Sequence, residues 1–201
     1  MSFYAFVRIS CAFRKRFYSS AFFVFIRYFL SVEAINLIAR NSFYEKRIGY
    51  LVLSVMLDQD DELLPLLPNS LHSDLHSRNN FIVSLALNAV TCIADADTYR
   101  QLLPDIESAL THQHTYIRKK AVMCAVQGIR KDNSFCEVFS PKIKSLISER
   151  SHAVVIASCS LLMQLNASAP DLIIPDIKVS FILFIFPFPL RTFASRLMFK
   201  F

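Results

Sequence analysis

Asn79-Asn-Phe-Ile-Val-Ser-Leu-Ala-Leu-Asn-Ala-Val-Thr-Cys-Ile93 is the stretch on which the fold turns. Its apolar positions Phe81, Ile82, Leu85, Ala86, Ala89, Val90 and Ile93 follow the i, i+1, i+4, i+5 spacing of a helix with a wide buried face. The pattern recurs. Ile117, Ala121, Cys124, Ala125 and Ile129 carry it between about Thr115 and Ile129, and Val154, Val155, Ala157, Ser158, Leu161, Leu162 and Leu165 carry it again. Ala86, Ala121 and Ser158 are small residues at matched places, where neighbouring helices must approach closely. Leu75, Leu110 and Ile147 each close a preceding apolar run, 35 and 37 residues apart, and Phe81, Tyr116 and Ala153 each follow six residues later. A period of this size with two helices per unit marks HEAT/armadillo-type repeats, slightly shorter than their usual ~40–47 residues. The predicted fold is all-α, a right-handed HEAT/armadillo-like α-solenoid of about four helix pairs.

Upstream, Glu33–Ala39 and Glu45–Leu57 read as two more helices. Pro104 and Pro141, 37 residues apart, are read as opening equivalent helices. Asp105 and Glu107 then fall in a first turn, where proline and negative charge are both favoured. Pro68 is one residue out of that register, and with Pro65 it interrupts an otherwise helical run. An interior proline costs ~3 kcal/mol, so that helix is expected to start after Pro68. Phe181–Phe186 is the one candidate strand.

Composition divides the chain into three. Residues 1–30 and 177–201 carry nine Lys/Arg and no Asp or Glu, so the net charge of +6 resides in the ends while the middle is −3. Of 19 phenylalanines only Phe43, Phe81, Phe135 and Phe139 lie in residues 31–176. The expected division is an apolar, basic N-terminal segment at 1–30, the solenoid at 31–176, and an apolar, basic C-terminal segment at 177–201. The ends read as translated non-coding sequence. Neither run is long enough to span a bilayer, which takes about 20 apolar residues. With apolar faces cut at both sides, such a solenoid is expected to be marginal or aggregation-prone alone.

Two glycines, Gly49 and Gly128, are too few to write a P-loop or a dinucleotide-binding loop. No G-x-S-x-G occurs, and no cysteine has a histidine at a catalytic spacing, so no enzyme is expected. The five cysteines are an odd number, widely spread and without C-x-x-C, and read as reduced thiols of a cytosolic protein. His72 and His76, one helical turn apart, can approach a zinc ion from one face, but the nearby Asp74 lies off that face. They read as surface histidines, and no metal site or cofactor is expected. Arg118, Lys119 and Lys120 form the one basic triplet of the middle segment. On a helix three successive residues fan over about 200° and make no flat phosphate patch unaided, so they read mainly as the solenoid's own hydrogen bonds and solvated surface. Lys46 and Arg47 are similar. These five are the candidate contacts to acidic lipid or a partner.

Three stretches carry a family resemblance. The first is Glu33-Ala-Ile-Asn-Leu-Ile-Ala39 with Tyr44-Glu-Lys-Arg-Ile-Gly-Tyr-Leu51 and Leu57-Asp58. The second runs from Asn69 through Asp74-Leu75 to Leu85-Ala-Leu87. The third is Tyr116-Ile-Arg-Lys-Lys-Ala-Val-Met-Cys-Ala-Val126 with Ile129-Arg-Lys131, Glu149 and His152-Ala-Val154. Over about residues 31–172 they resemble the N-terminal trunk of the large adaptin subunits of clathrin adaptor complexes. The third stretch is most similar to γ-adaptin of the first adaptor complex, with α- and ε-type subunits as alternatives. The resemblance implies a non-enzymatic scaffold that assembles with β-adaptin and with medium and small subunits. It also implies recruitment by an Arf-family GTPase, indirect linkage to clathrin, and cytoplasmic, peripheral association with trans-Golgi, endosomal or coated-vesicle membranes. It implies no nucleic-acid partner. A free-standing HEAT-type binding module, a membrane-anchored protein and a non-functional truncated product are the competing readings.

Overall fold

The computed structural model describes residues 21–57 and 61–169. Every regular element among them is helical. In chain order they are α1 Ala21–Ala39, α2 Phe43–Met56, a 3-10 turn at Leu64–Leu66, α3 Leu67–Leu75, α4 Asn80–Ile93, α5 Ala96–Leu110 and α6 Thr115–Lys131. Then follow α7 Phe135–Phe139, a second 3-10 turn at Ser140–Lys142, α8 Ile143–Ile147 and α9 His152–Ser168. This is an all-α repeat of helix hairpins, the α-solenoid class that the period implies. The register marks coincide with element ends. Leu75, Leu110 and Ile147 are the last residues of α3, α5 and α8, and Phe81, Tyr116 and Ala153 are the second residues of α4, α6 and α9. Phe181–Phe186 lies outside the described residues.

Contacts divide the chain into two compact units, meeting at Cys124 and Ala125 within α6. In the first, α1 packs on α2 and α3, while α4 packs on both α2 and α3. The crossing of α1 and α2 is set by Gly49. A Cβ there would stand 2.8 Å from the Ala34 carbonyl oxygen and 2.8 Å from Ile38 Cγ1, so only glycine admits the close backbone approach. α1 also runs through residue 30, where the composition changes.

Because α4 is covered from two directions, its buried arc is wider than the periodicity alone indicates. Val83 and Leu87 are buried with Ile82, Ala86, Ala89, Val90 and Ile93, whereas Phe81 is 69% exposed with its ring edge-on to Phe43. The apolar sets of α6 and α9 are buried as the sequence implies, and Ala86, Ala121 and Ser158 are all fully enclosed.

The prolines correct the expected helix starts. Pro104 does not open α5 but sits inside it. The helix begins eight residues earlier, where Asp95 accepts a hydrogen bond from the Thr98 amide at 2.9 Å. The missing proline donor costs one interior hydrogen bond, and the cap and the buried face outweigh it. Pro65 and Pro68 do not interrupt a helix either. Each lies in the first turn of its element, where an amide proton has no partner to lose. In the second unit Pro141 opens the 3-10 turn that joins α7 to α8, and α8 packs on α9.

Candidate functional site

α3 is short, but it holds two polar clusters on different faces. The first is enclosed. Lys46 of α2 donates from Nζ to the Ile38 carbonyl at 2.6 Å and to Asp74 Oδ1 at 2.7 Å. The Tyr50 hydroxyl, one turn along α2, donates to Asp74 Oδ2 at 2.6 Å. Lys46, Tyr50 and Asp74 are 7%, 3% and 4% exposed. Both oxygens of a buried carboxylate are thus satisfied by an ammonium and a phenol, the condition for such a charge to be tolerated. Burial and the Asp74 charge push the Tyr50 hydroxyl far above its usual titration range. Together with Gly49, this triad fastens α1, α2 and α3 to one another. Lys46 is therefore removed from the surface set suggested by its charge. Its head group is spent inside the fold.

The second cluster opens to solvent. His72 and His76 project from the last turn and C-cap of α3, their ring centroids 4.5 Å apart. Asp105 comes from α5, one repeat later, with its carboxylate 7% exposed. His72 Nδ1 lies 2.6 Å from Asp105 Oδ2, and His76 Nε2 lies 3.7 Å from Asp105 Oδ1. His76 Nδ1 is 3.0 Å from the His72 carbonyl, which can only accept, so that nitrogen carries a proton. Asp74 is off this face, as the spacing implies. Asp105 is the member that the sequence reading missed. Placing a helix start at Pro104 gave it the role of a first-turn acid, whereas it lies in the C-terminal half of α5 and needs cationic partners.

The basic triplet fans apart. Arg118 donates from Nη1 to the His112 and Gln113 carbonyls at 2.7 and 2.8 Å, tying down the α5–α6 turn. Lys120 donates to Asn88 Oδ1 at 2.9 Å and lies over the Tyr116 ring, 5.5 Å from its centroid. Desolvation, then the neighbouring Lys119 charge, lowers the Lys120 titration range. Lys119 and Arg47 are exposed. All four cysteines among the described residues are free thiols. No helix among the described residues is long and apolar enough to cross a membrane.

Helix hairpins in tandem, pinned in the first unit by a buried polar triad, define the class of helical-repeat proteins. The family model for the adaptin N-terminal region matches residues 22–181, and the chain belongs to that family. Among curated proteins it is 39% identical over 137 residues to the AP-1 complex subunit gamma of Dictyostelium discoideum, covering 68% of this chain and 15% of that one. It is 37% identical over 146 residues to AP-1 complex subunit gamma-1 of Schizosaccharomyces pombe, covering 73% and 17%. It is 42% identical over 134 residues to AP-1 complex subunit gamma-2 of Arabidopsis thaliana, covering 67% and 16%. The chain thus spans about a sixth of the length of these relatives. Its fold matches, with a TM-score of 0.67 and 24% identity, a chain in a homology model of the full-length AP-3 complex in an intermediate open conformation, over 79% of this chain and 28% of that one.

Proposed function

We propose that the chain is a non-enzymatic scaffold segment of the large subunit of a clathrin-associated adaptor complex, serving vesicle-mediated protein transport between the trans-Golgi network and endosomes. The observation that supports this most is the continuity of the family match over residues 22–181, beside AP-1 gamma subunits of three organisms that each match 67–73% of the chain. In this reading the solenoid of residues 31–176, extended by the start of α1, packs against β-adaptin and the medium and small subunits. An Arf-family GTPase recruits the assembly to the cytoplasmic face of the membrane, and clathrin is reached only through its partners. Arg47 and Lys119 are the members of the basic set left to meet an acidic lipid or partner, with Arg118 and Lys120 partly committed to the fold.

The test is a pull-down of the tagged full chain from cell lysate, with mass-spectrometric identification of what it retains. Stoichiometric β-adaptin and small subunit support the assembly. Chaperones alone would overturn it in favour of a product that keeps the family's fold and not its role.

A further inference from the structure

We propose that His72, His76 and Asp105 form a structural site for a divalent transition-metal ion of the zinc type, clipping α3 to α5. Three donor atoms, one from each residue, already lie within 4.8 Å of one another with no ion present. Zinc binds imidazole nitrogen at about 2.0–2.1 Å and carboxylate oxygen at about 2.0–2.2 Å, commonly with three protein ligands and a water in the open position. Two imidazoles over one buried carboxylate supply those ligand types. Binding requires the exposed His72 ring to turn away from Asp105 Oδ2, now 2.6 Å from its Nδ1.

The ring orientation also suits an ion. With Nδ1–H turned to the His72 carbonyl, Nε2 is the nitrogen that His76 directs at Asp105 Oδ1, at 3.7 Å. The same backbone hydrogen bond is the kind of outer contact that orients a metal-binding histidine. His72 can supply Nδ1 as a donor atom when its ring proton sits on Nε2, the other ring nitrogen. Among the described residues, the ion pairs of Asp105 are with these two histidines alone, and its carboxylate is more than nine-tenths buried and aimed between them. Imidazole donors select zinc-like ions over calcium and magnesium, which prefer all-oxygen shells.

The experiment is titration of the metal-stripped full chain with Zn2+ by calorimetry, and with Co2+ by visible absorption, in the wild type, in H76Q and in H112Q/H114Q. One ion per chain is expected, with Co2+ ligand-field bands that lack a thiolate charge-transfer band. Affinity should fall about tenfold or more in H76Q and stay unchanged in H112Q/H114Q, since losing a ligand costs no less than losing its outer support. The exposed His76 can be replaced without disturbing the helices, which circular dichroism checks. Zn2+ should raise the melting temperature of the wild type and not that of H76Q. Absence of binding, equal binding by H76Q, or a thiolate band pointing to the cysteines would each overturn the assignment.

Discussion

Asp74 and Asp105 are both buried carboxylates on helices that open their pairs, yet they are satisfied in opposite ways. Asp74 takes its partners from inside the fold, a fixed ammonium and a phenol on α2. Asp105 takes its partners from the surface, two imidazoles that are each more than half exposed. The difference teaches where rigidity ends and exchange begins. A lysine–aspartate pair closed off from water cannot be traded for another ligand without unfolding its surroundings. An imidazole–aspartate pair open to water can trade a proton for an ion while the backbone stays in place.

The sharpest way to break this contrast is Lys46→Met, which leaves Asp74 buried without its cation. Removing one partner of a buried pair costs about 3–5 kcal/mol, read as a fall in urea midpoint at constant slope. The double variant Lys46→Met/Asp74→Leu should recover part of that loss, since the stranded charge is gone while the buried Tyr50 hydroxyl is left without its acceptor. A double variant as unstable as the single one would show that the triad does more than neutralise itself. Next in size is Gly49→Ala. Its Cβ would meet the backbone of α1 at 2.8 Å, and forced separation of packed helices costs about 1–3 kcal/mol.

Tyr50→Phe comes third, at about 1.5–2 kcal/mol, the low end for a lost hydrogen bond to a charged acceptor because Asp74 keeps Lys46. It carries a pH signature as well. The folded state holds the Tyr50 proton far more tightly than the unfolded chain, whose tyrosine titrates near 10.0. The native state therefore binds more protons above that pH, and stability falls as pH rises through and beyond it. Below it the contribution is fully present. Tyr50→Phe should lack this part of the alkaline decline, which denaturant melts at rising pH would measure.

Much of this was legible beforehand, for identifiable reasons. The period could be read because Leu75, Leu110 and Ile147 end helices, and helix ends recur wherever hairpins stack. The small residues Ala86, Ala121 and Ser158 could be read because close approach admits few side chains. Lys46 was misread because an amphipathic pattern records which positions are apolar, and not that a buried lysine has a carboxylate 28 residues away. Asp105 was missed through the helix start at Asp95. A proline is the loudest local signal, and here a quieter aspartate cap and the tertiary contacts of α5 prevailed. The partner of His72 lies 33 residues on, close to one period, so the repeat itself held the clue.

On the open side of the comparison the expected effects are smaller. His72→Gln should cost about 0.5–1 kcal/mol in metal-free buffer, because the Asp105 carboxylate keeps His76 and water within reach. The smallest effect on stability belongs to Arg47→Ala/Lys119→Ala. Two exposed basic side chains contribute within about 0.5 kcal/mol to folding. Near an acidic membrane each contributes about 1 kcal/mol to adsorption, so vesicles containing phosphatidylserine should bind the double variant roughly thirtyfold more weakly at low salt. Higher ionic strength should erase the difference. Lys120→Met makes the counter-case. Its ammonium is already partly desolvated and held by Asn88, so its loss should leave vesicle binding nearly unchanged. If Lys120→Met weakened adsorption as much as the exposed pair, the helix would be turned toward the membrane on the Lys120 side, and Arg47 and Lys119 would lose their assigned part.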